Sequence, residues 1–205
     1  MYRWEICAEI ASARVLGVLR TPSGKQAVEL GEALVQGGLR VIEVALTTPD
    51  GLDAIHALHG TNDGRLVGAG TVLDAPSARA AILAGARFLV SPSFIPEVIV
   101  TGHRYGVPVL PGTQTPSEIQ RALEAGSDMV KVFPASQLGP GFVSGVVAAL
   151  PQAPLVPTGG VNPGNARDWL AAGAVAVGVG GSLTSGDPAQ ARERAAQLVA
   201  AIGKA

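Results

Sequence analysis

The sequence predicts an α/β protein, specifically a (β/α)8 TIM barrel with an extra N-terminal helix. An Ala- and Leu-rich helical stretch, a glycine and a short apolar strand recur along the chain, as in 33–46 (ALVQGGLRVIEVAL) and 122–134 (ALEAGSDMVKVFP). Glycine is the expected residue just past a helix, because it adopts the left-handed conformation at little cost. The strands are nearly continuous in apolar character, which is typical of parallel strands covered on both faces.

The elements follow in order, starting with an extra helix over residues 2–13. Strands are predicted at 15–20, 40–46, 66–70, 87–91, 107–110, 128–132, 154–158 and 175–179. Helices are predicted at 23–36, 50–59, 75–84, 95–103, 116–124, 141–149, 162–172 and 187–201. Alternation of this kind implies a parallel sheet, and an open doubly wound sheet is the alternative to a barrel. About eight units with no leftover segment favour the closed barrel. No linker or low-complexity run divides residues 1–205, so we expect a single domain.

Composition narrows the class of protein. The 205 residues are 47% hydrophobic and 15% charged, which suits a chain with a sizeable core. A net charge of −1 and a pI of about 6.3 favour neither nucleic acid nor an acidic membrane surface. The single cysteine, Cys7, excludes an intrachain disulfide and a cysteine-based metal site. The N-terminus carries Glu5 and Glu9 and is unlike a signal peptide, so we expect a cytoplasmic protein.

Polar residues and glycines concentrate just after the predicted strands. In a (β/α)8 barrel the chemistry lies at the carboxyl ends of the strands, so these positions are the candidates for a site. They are Arg20, Glu43, Thr47, Thr48, Thr71, Ser91, Pro92, Pro111, Gly112, Thr113, Lys131, Thr158, Gly159, Gly160, Gly180, Gly181 and Ser182.

Two of these candidates are charges on otherwise apolar strands. Glu43 alternates with Ile42 and Val44, and Lys131 alternates with Val130 and Val132. Because the apolar neighbours must face the outer helices, Glu43 and Lys131 are expected to point into the barrel.

One interpretation of this pair is a buried ion pair that holds the interior together, although desolvation offsets the attraction in such pairs. The functional interpretation is stronger. Burial disfavours the charged form of a lysine, and a neutral amine attacks a carbonyl to form a Schiff base. Glu43 would then transfer protons to and from the substrate. This chemistry requires no metal and no organic cofactor.

Glycine-rich turns follow the last two predicted strands. The segment 157–170 (PTGGVNPGNARDWL) places a Gly-Gly turn before a helix, and 178–183 (GVGGSL) supplies another turn. Backbone N–H groups of two adjacent turns can converge on one anion, and these two loops are a frequent phosphate site in this barrel.

Five motifs resemble the 2-keto-3-deoxy-6-phosphogluconate (KDPG) aldolases, a family that includes 4-hydroxy-2-oxoglutarate (KHG) aldolases and a phosphogalactonate branch. The motifs span nearly the whole chain in family order: RVIEVALTTPD (40–50), VGAGTVLD (67–74), KVFPAS (131–136), VPTGGVNPGN (156–165) and VGVGGSL (177–183). The resemblance implies a homotrimeric class I aldolase that cleaves a phosphorylated keto acid to pyruvate and glyceraldehyde 3-phosphate.

The resemblance also implies roles for individual residues. Lys131 matches the Schiff-base lysine and Glu43 the general acid/base. The remaining matches are to groups that bind substrate. Arg20 and Thr71 match the carboxylate-binding groups, Pro92 and Phe133 the pocket walls, and Gly159, Gly160, Gly181 and Ser182 the phosphate turns, with Thr158 at their edge.

The chain departs from the family pattern at two positions. Many members carry an arginine four residues after the glutamate, where this chain has Thr47, so anion binding must depend more on Arg20. Ser136 stands where the family usually has a glutamate. Three further alternatives stay open: a phosphogalactonate aldolase, a phosphate-binding barrel isomerase or synthase such as an epimerase, and a non-catalytic protein on an aldolase scaffold.

Overall fold

Strands and helices alternate along the chain, as the sequence predicts. The computed structural model describes residues 1–61 and 63–203. The strands are β1 Val15–Leu19, β2 Val41–Ala45, β3 Leu66–Gly70, β4 Leu89–Val90, β5 Val109–Leu110, β6 Gly112–Thr113, β7 Val130–Val132, β8 Leu155–Pro157 and β9 Val177–Val179. The α-helices are α1 Arg3–Ala13, α2 Gly24–Gln36, α3 Gly51–His59, α4 Ala75–Leu83, α5 Pro96–Arg104, α6 Pro116–Glu124, α7 Pro140–Ala149, α8 Ala166–Ala171, α9 Gly181–Thr184 and α10 Pro188–Ile202. A short 3-10 helix covers Ala135–Gln137.

All of the strand pairs are parallel within the described residues. One sheet has six strands in the order β5-β4-β3-β2-β1-β9, and the other has three in the order β6-β7-β8. An isolated parallel bridge joins Thr158, just after β8, to Gly178 in β9. The predicted α/β class with parallel strands is therefore confirmed.

The extra N-terminal helix is also confirmed, and it covers one end of the strands. Ile6 and Ile10 of α1 are fully buried against residues at or before the amino ends of several strands. That cluster includes Leu16, Val41, Leu66, Phe88, Val90, Leu110, Met129, Val156 and Ala176. Helix α1 therefore packs across the interior at the end of the strands opposite to the predicted site.

A larger apolar cluster lies between the strands and the outer helices. It joins strand residues such as Val44, Leu89 and Val132 to helix residues such as Leu34 and Leu198. The outward apolar residues predicted for β2 and β7 are part of this layer, which leaves the opposite faces of those strands for Glu43 and Lys131.

One predicted helix boundary is wrong. The helix expected over 162–172 is Ala166–Ala171, because residues 162–165 form a turn instead. The Asn162 side chain accepts the Gly164 N–H at 2.8 Å, and Asn165 Oδ1 accepts the Asn162 N–H at 2.8 Å. These side-chain bonds compete with helix formation. None of the described helices combines the length and apolar character needed to cross a membrane.

Candidate active site

Glu43 and Lys131 meet as the sequence predicts. Lys131 Nζ lies 3.8 Å from Glu43 Oε1, and the two side chains are 8% and 4% exposed. Lys131 Nζ also lies 5.0 Å from the centre of the Phe133 ring, within the range of a cation–π contact. A buried pair of this kind has lost most of its hydration, and this loss offsets the attraction between the two charges. The pair therefore contributes little to the stability of the fold.

Neighbouring glycines make room for the Glu43 side chain. Gly70, at the end of β3, lies beside it, and a Cβ at position 70 would lie 2.6 Å from Glu43 Cδ. Gly68 does the same for Phe88, since a Cβ there would lie 2.5 Å from the ring. The GAG sequence of β3 therefore accommodates one reactive side chain and one core aromatic.

Lys131 is held by the strand segment beside it. Its N–H donates to Pro111 O at 2.9 Å, and Phe133 N–H donates to Thr113 O at 2.9 Å. The buried Thr113 hydroxyl donates to Lys131 O at 3.1 Å. Hydrogen bonds on both sides of Lys131 fix the backbone from which its amine extends.

Arg20 and Thr71 are also brought together. Arg20 is exposed, and its Nη2 donates to Thr71 Oγ1 at 3.3 Å. Thr71 has φ of 58°, a left-handed conformation that is unfavourable for a β-branched residue. Strain of this kind clusters at functional sites, where the surrounding structure enforces it.

A cavity of about 480 Å³ opens at the carboxyl ends of the strands. Nine predicted site residues line it: Arg20, Lys131, Phe133, Thr158, Gly159, Gly160, Gly180, Gly181 and Ser182. Glu43 and Thr71 reach it through their contacts with Lys131 and Arg20. Pro92, which follows β4, does not line the cavity. Its carbonyl oxygen lies so close to Gly112 that only glycine fits at position 112.

The two glycine turns present free N–H groups around this cavity. Carbonyl oxygens of the first turn are already used: Thr158 O accepts from Ala135 N–H at 2.9 Å, and Gly159 O accepts from Ser136 N–H at 2.8 Å. In the described part of the chain, no acceptor takes the N–H groups of five residues, namely Gly159, Gly160, Val161, Gly181 and Ser182. A turn with its carbonyls occupied and its N–H groups free suits an anion.

Sequence reasoning missed several residues of the site. Val18, Val161, Asn162 and Thr184 also line the cavity. Asn162 and Thr184 have no signal in the sequence beyond standing near a glycine turn.

The two departures from the family pattern lie in different surroundings. Thr47 is exposed after β2. Ser136 packs on the first glycine turn, and a Cβ at Gly160 would lie 2.5 Å from Ser136 Cβ. Nothing in the structure explains the replacement of the glutamate.

A second cavity, of about 410 Å³, lies at the opposite end of the strands. It is lined by α1, the start of β1 and the end of α10, with Glu9 and Arg40 as its charged residues. Its lining contains no lysine, so the carboxyl-end cavity is the better candidate for the site. Across residues 1–61 and 63–203, no group of three or more His, Cys, Asp or Glu side chains could hold a metal ion.

A buried lysine beside a carboxylate, in a cavity at the carboxyl ends of parallel strands, is typical of enzymes that act on carbonyl compounds through an imine. Comparison with known proteins identifies the family. The model of the KDPG and KHG aldolases matches residues 6–199. The chain belongs to this family, whose members are carbon–carbon lyases.

Named relatives and solved structures agree with this assignment. The chain is 40% identical to the 2-dehydro-3-deoxy-phosphogluconate aldolase of Treponema pallidum over 77% of its length and 76% of the relative's. It is 35% identical to the 2-dehydro-3-deoxy-6-phosphogalactonate aldolase of Escherichia coli over 93% of both chains. The KDPG aldolase of Legionella pneumophila, solved with pyruvate captured as a covalent carbinolamine, matches with a TM-score of 0.86 at 30% identity, covering 94% of this chain and 97% of that one.

Proposed function

We propose that this protein is a class I aldolase that cleaves KDPG to pyruvate and glyceraldehyde 3-phosphate, with KHG as a further substrate. The observation that carries the proposal is the buried Lys131–Glu43 pair, whose charged groups are 3.8 Å apart and whose lysine lines the carboxyl-end cavity. Family membership and the named relatives support the same reaction.

Lys131 is the proposed nucleophile. Glu43 takes a proton from the ammonium, and the free amine attacks the substrate C2 carbonyl to give a carbinolamine. Glu43 passes this proton to the carbinolamine hydroxyl, which leaves as water, and the resulting iminium can accept an electron pair. The strand bonds to Pro111 and Thr113 hold the amine in place for this attack.

Glu43 is the proposed general acid/base for cleavage. Its carboxylate removes the proton of the C4 hydroxyl, the C3–C4 bond breaks, and the electron pair moves into the enamine while the aldehyde leaves. Glu43 then returns the proton to C3, and water hydrolyses the iminium to release pyruvate. Atoms and electrons balance without a metal or a redox cofactor.

The two charged ends of the substrate have separate partners in this proposal. Arg20 and Thr71, in contact at 3.3 Å, hold the pyruvate carboxylate. The free N–H groups of Gly159, Gly160 and Gly181, with that of Ser182, bind the phosphate. Phe133 and Thr158, which both line the cavity, form the walls beside the reacting carbon and the phosphate turn.

We infer that the strands close into one eight-stranded barrel over residues 1–205. Strands β5 and β6 belong to a single stretch, since only Pro111 separates them, and they pair with β4 on one side and β7 on the other. The Thr158–Gly178 bridge links β8 to β9, which pairs with β1. These links support a closed ring with α1 at its base.

We also propose that the protein is a cytoplasmic homotrimer, as the family resemblance implies. Exposed apolar side chains on consecutive elements support an oligomer. They are Leu52 on α3, Leu73 after β3, Leu83 on α4 and Val100 on α5, exposed by 38%, 54%, 68% and 55%. Light scattering should give three times the chain mass of 20.6 kDa.

The reaction is tested by measuring pyruvate release in an assay coupled to lactate dehydrogenase. KDPG, its phosphogalactonate epimer and KHG are compared at equal concentration. The phosphogalactonate epimer is the second candidate substrate, because the relative that covers 93% of this chain carries that name and Thr47 replaces an arginine. Release of pyruvate from none of the three would contradict the proposal.

A further inference from the structure

Three loops at the carboxyl ends of β1, β2 and β3 meet around Arg20. The side chain of Arg20 contacts Thr71 after β3 at 3.3 Å. The backbone of the next residue, Thr21, donates its N–H to Thr48 Oγ1 after β2 at 3.2 Å. Thr48 is 2% exposed, so water cannot readily replace this bond.

Other contacts hold the first two loops together nearby. Thr21 Oγ1 donates to Ser23 O at 2.8 Å, which shapes the turn into α2. The start of α2 packs tightly on the second loop, since a Cβ at Gly24 would lie 2.7 Å from Asp50 O. The Thr21 hydroxyl bond stays within the first loop, and the contact between Gly24 and Asp50 is farther along the chain. The Thr48 hydroxyl, in contrast, joins the second loop to the residue next to Arg20.

We propose that Thr48 is a positioning residue that fixes the backbone of Arg20 and so directs its guanidinium toward the substrate carboxylate. This inference rests on the proposed function, in which Arg20 holds that carboxylate. Arg20 is the one arginine among the described residues that line the cavity. With Thr47 in place of the family arginine, the orientation of this single guanidinium decides how well the carboxylate is bound.

The role depends on the hydroxyl rather than on the bulk of the side chain. Valine has nearly the shape of threonine but cannot accept the Thr21 N–H, and Thr21 is itself 7% exposed. A buried N–H without an acceptor is unfavourable, so the loop must shift to reach water. The loss of one such bond corresponds to about a fivefold to tenfold change in an equilibrium constant.

The experiment measures the pyruvate concentration that half-saturates borohydride trapping on Lys131. We expect Thr48→Val and Thr48→Ala to raise it by about fivefold to tenfold and Thr48→Ser to restore it. Pyruvamide, which has no carboxylate, should trap equally in all of these variants. Thr101→Val, which changes a buried threonine on α5, is the matched control and should keep the original value.

A double-mutant cycle separates positioning from a purely structural role. In an Arg20→Ala background, Thr48→Val should add no further change in the half-saturating pyruvate concentration, because the group that it positions is gone. Additive effects in the cycle, or an unchanged value in a folded Thr48→Val or Thr48→Ala variant, would overturn the inference. Absence of trapping in the unsubstituted protein would instead refute the proposed function on which it rests.

Discussion

Gly70→Ala is a small change that the structure predicts to be highly damaging to activity. A Cβ at position 70 would lie 2.6 Å from Glu43 Cδ, 2.8 Å from Glu43 Cγ and closer still to Oε1. The carboxylate must therefore turn away from its present position, 3.8 Å from Lys131 Nζ. A displacement of about 1 Å in a catalytic group lowers the rate by roughly 100-fold, so we expect that loss in kcat.

The expected effect on stability is much smaller than the effect on activity. The displaced atoms belong to the end of a flexible side chain, so overpacking should be near the lower end of about 1–3 kcal/mol. Gly145→Ala is the matched control, because Gly145 lies inside α7 with nothing within 4 Å of an added Cβ. That variant should gain about 0.5–1 kcal/mol of stability and keep its kcat.

The assay combines lactate dehydrogenase-coupled turnover with thermal unfolding followed by circular dichroism. The reasoning predicts a folded Gly70→Ala protein with low kcat and a slightly stabilised Gly145→Ala protein with normal kcat. A normal kcat in Gly70→Ala would show that the position of Glu43 does not matter for the reaction. An unfolded Gly70→Ala protein would contradict the small expected loss of folding stability.

The remaining predictions concern a proton transfer, a buried arginine and a thiol. Glu43→Gln should lower kcat by about 100- to 10,000-fold, because an amide cannot accept the hydroxyl proton; an unchanged rate would remove Glu43 from its role. Arg65→Met should lower the free energy of unfolding in urea by about 1.5–3 kcal/mol, since the Arg65 side chain is 3% exposed and pairs with Glu32 at 2.7 Å; no change would contradict this. Burial first, and then the charge of Asp128, raise the pKa of Cys7 from 9.0 to about 11. The stability that the neutral Cys7 thiol provides should be fully present below pH 9 and be lost as the pH rises through about 11. The rate of thiol alkylation of the folded protein should keep rising up to about pH 11 instead of levelling off near pH 9.

Most of the fold could be predicted because each strand and helix carries its own local pattern. The strand over 107–110 is a useful exception, since the structure continues it past Pro111 as the segment Gly112–Thr113. Glycine and proline read locally as a turn, yet parallel pairing with β7 extends the strand there. The helix predicted over 162–172 begins only at Ala166, because side-chain hydrogen bonds of two asparagines stabilise a turn over 162–165 more than the local helix propensity favours a helix.

Some residues of the candidate site could likewise be predicted from the sequence and others could not. Glu43 and Lys131 could be found because a charge in an apolar strand is a local anomaly. The hydrogen bond between Thr21 and Thr48 joins two loops. The sequence indicates Thr48 only as a polar residue after β2, and it does not indicate Thr21 as its partner. The sequence marks Gly70 as part of a GAG motif, but only the packing of two neighbouring strands shows that it makes room for Glu43.

The most direct test of the account is to incubate the protein with pyruvate, reduce it with borohydride and locate the added mass by peptide mass spectrometry. The account predicts a single adduct on Lys131, absent from a folded Lys131→Ala variant that also lacks turnover. A folded, unsubstituted protein without an adduct, or one modified at another lysine, would contradict Schiff-base chemistry at Lys131. Lys131 and Glu43 would then be a structural ion pair at the carboxyl ends of the strands.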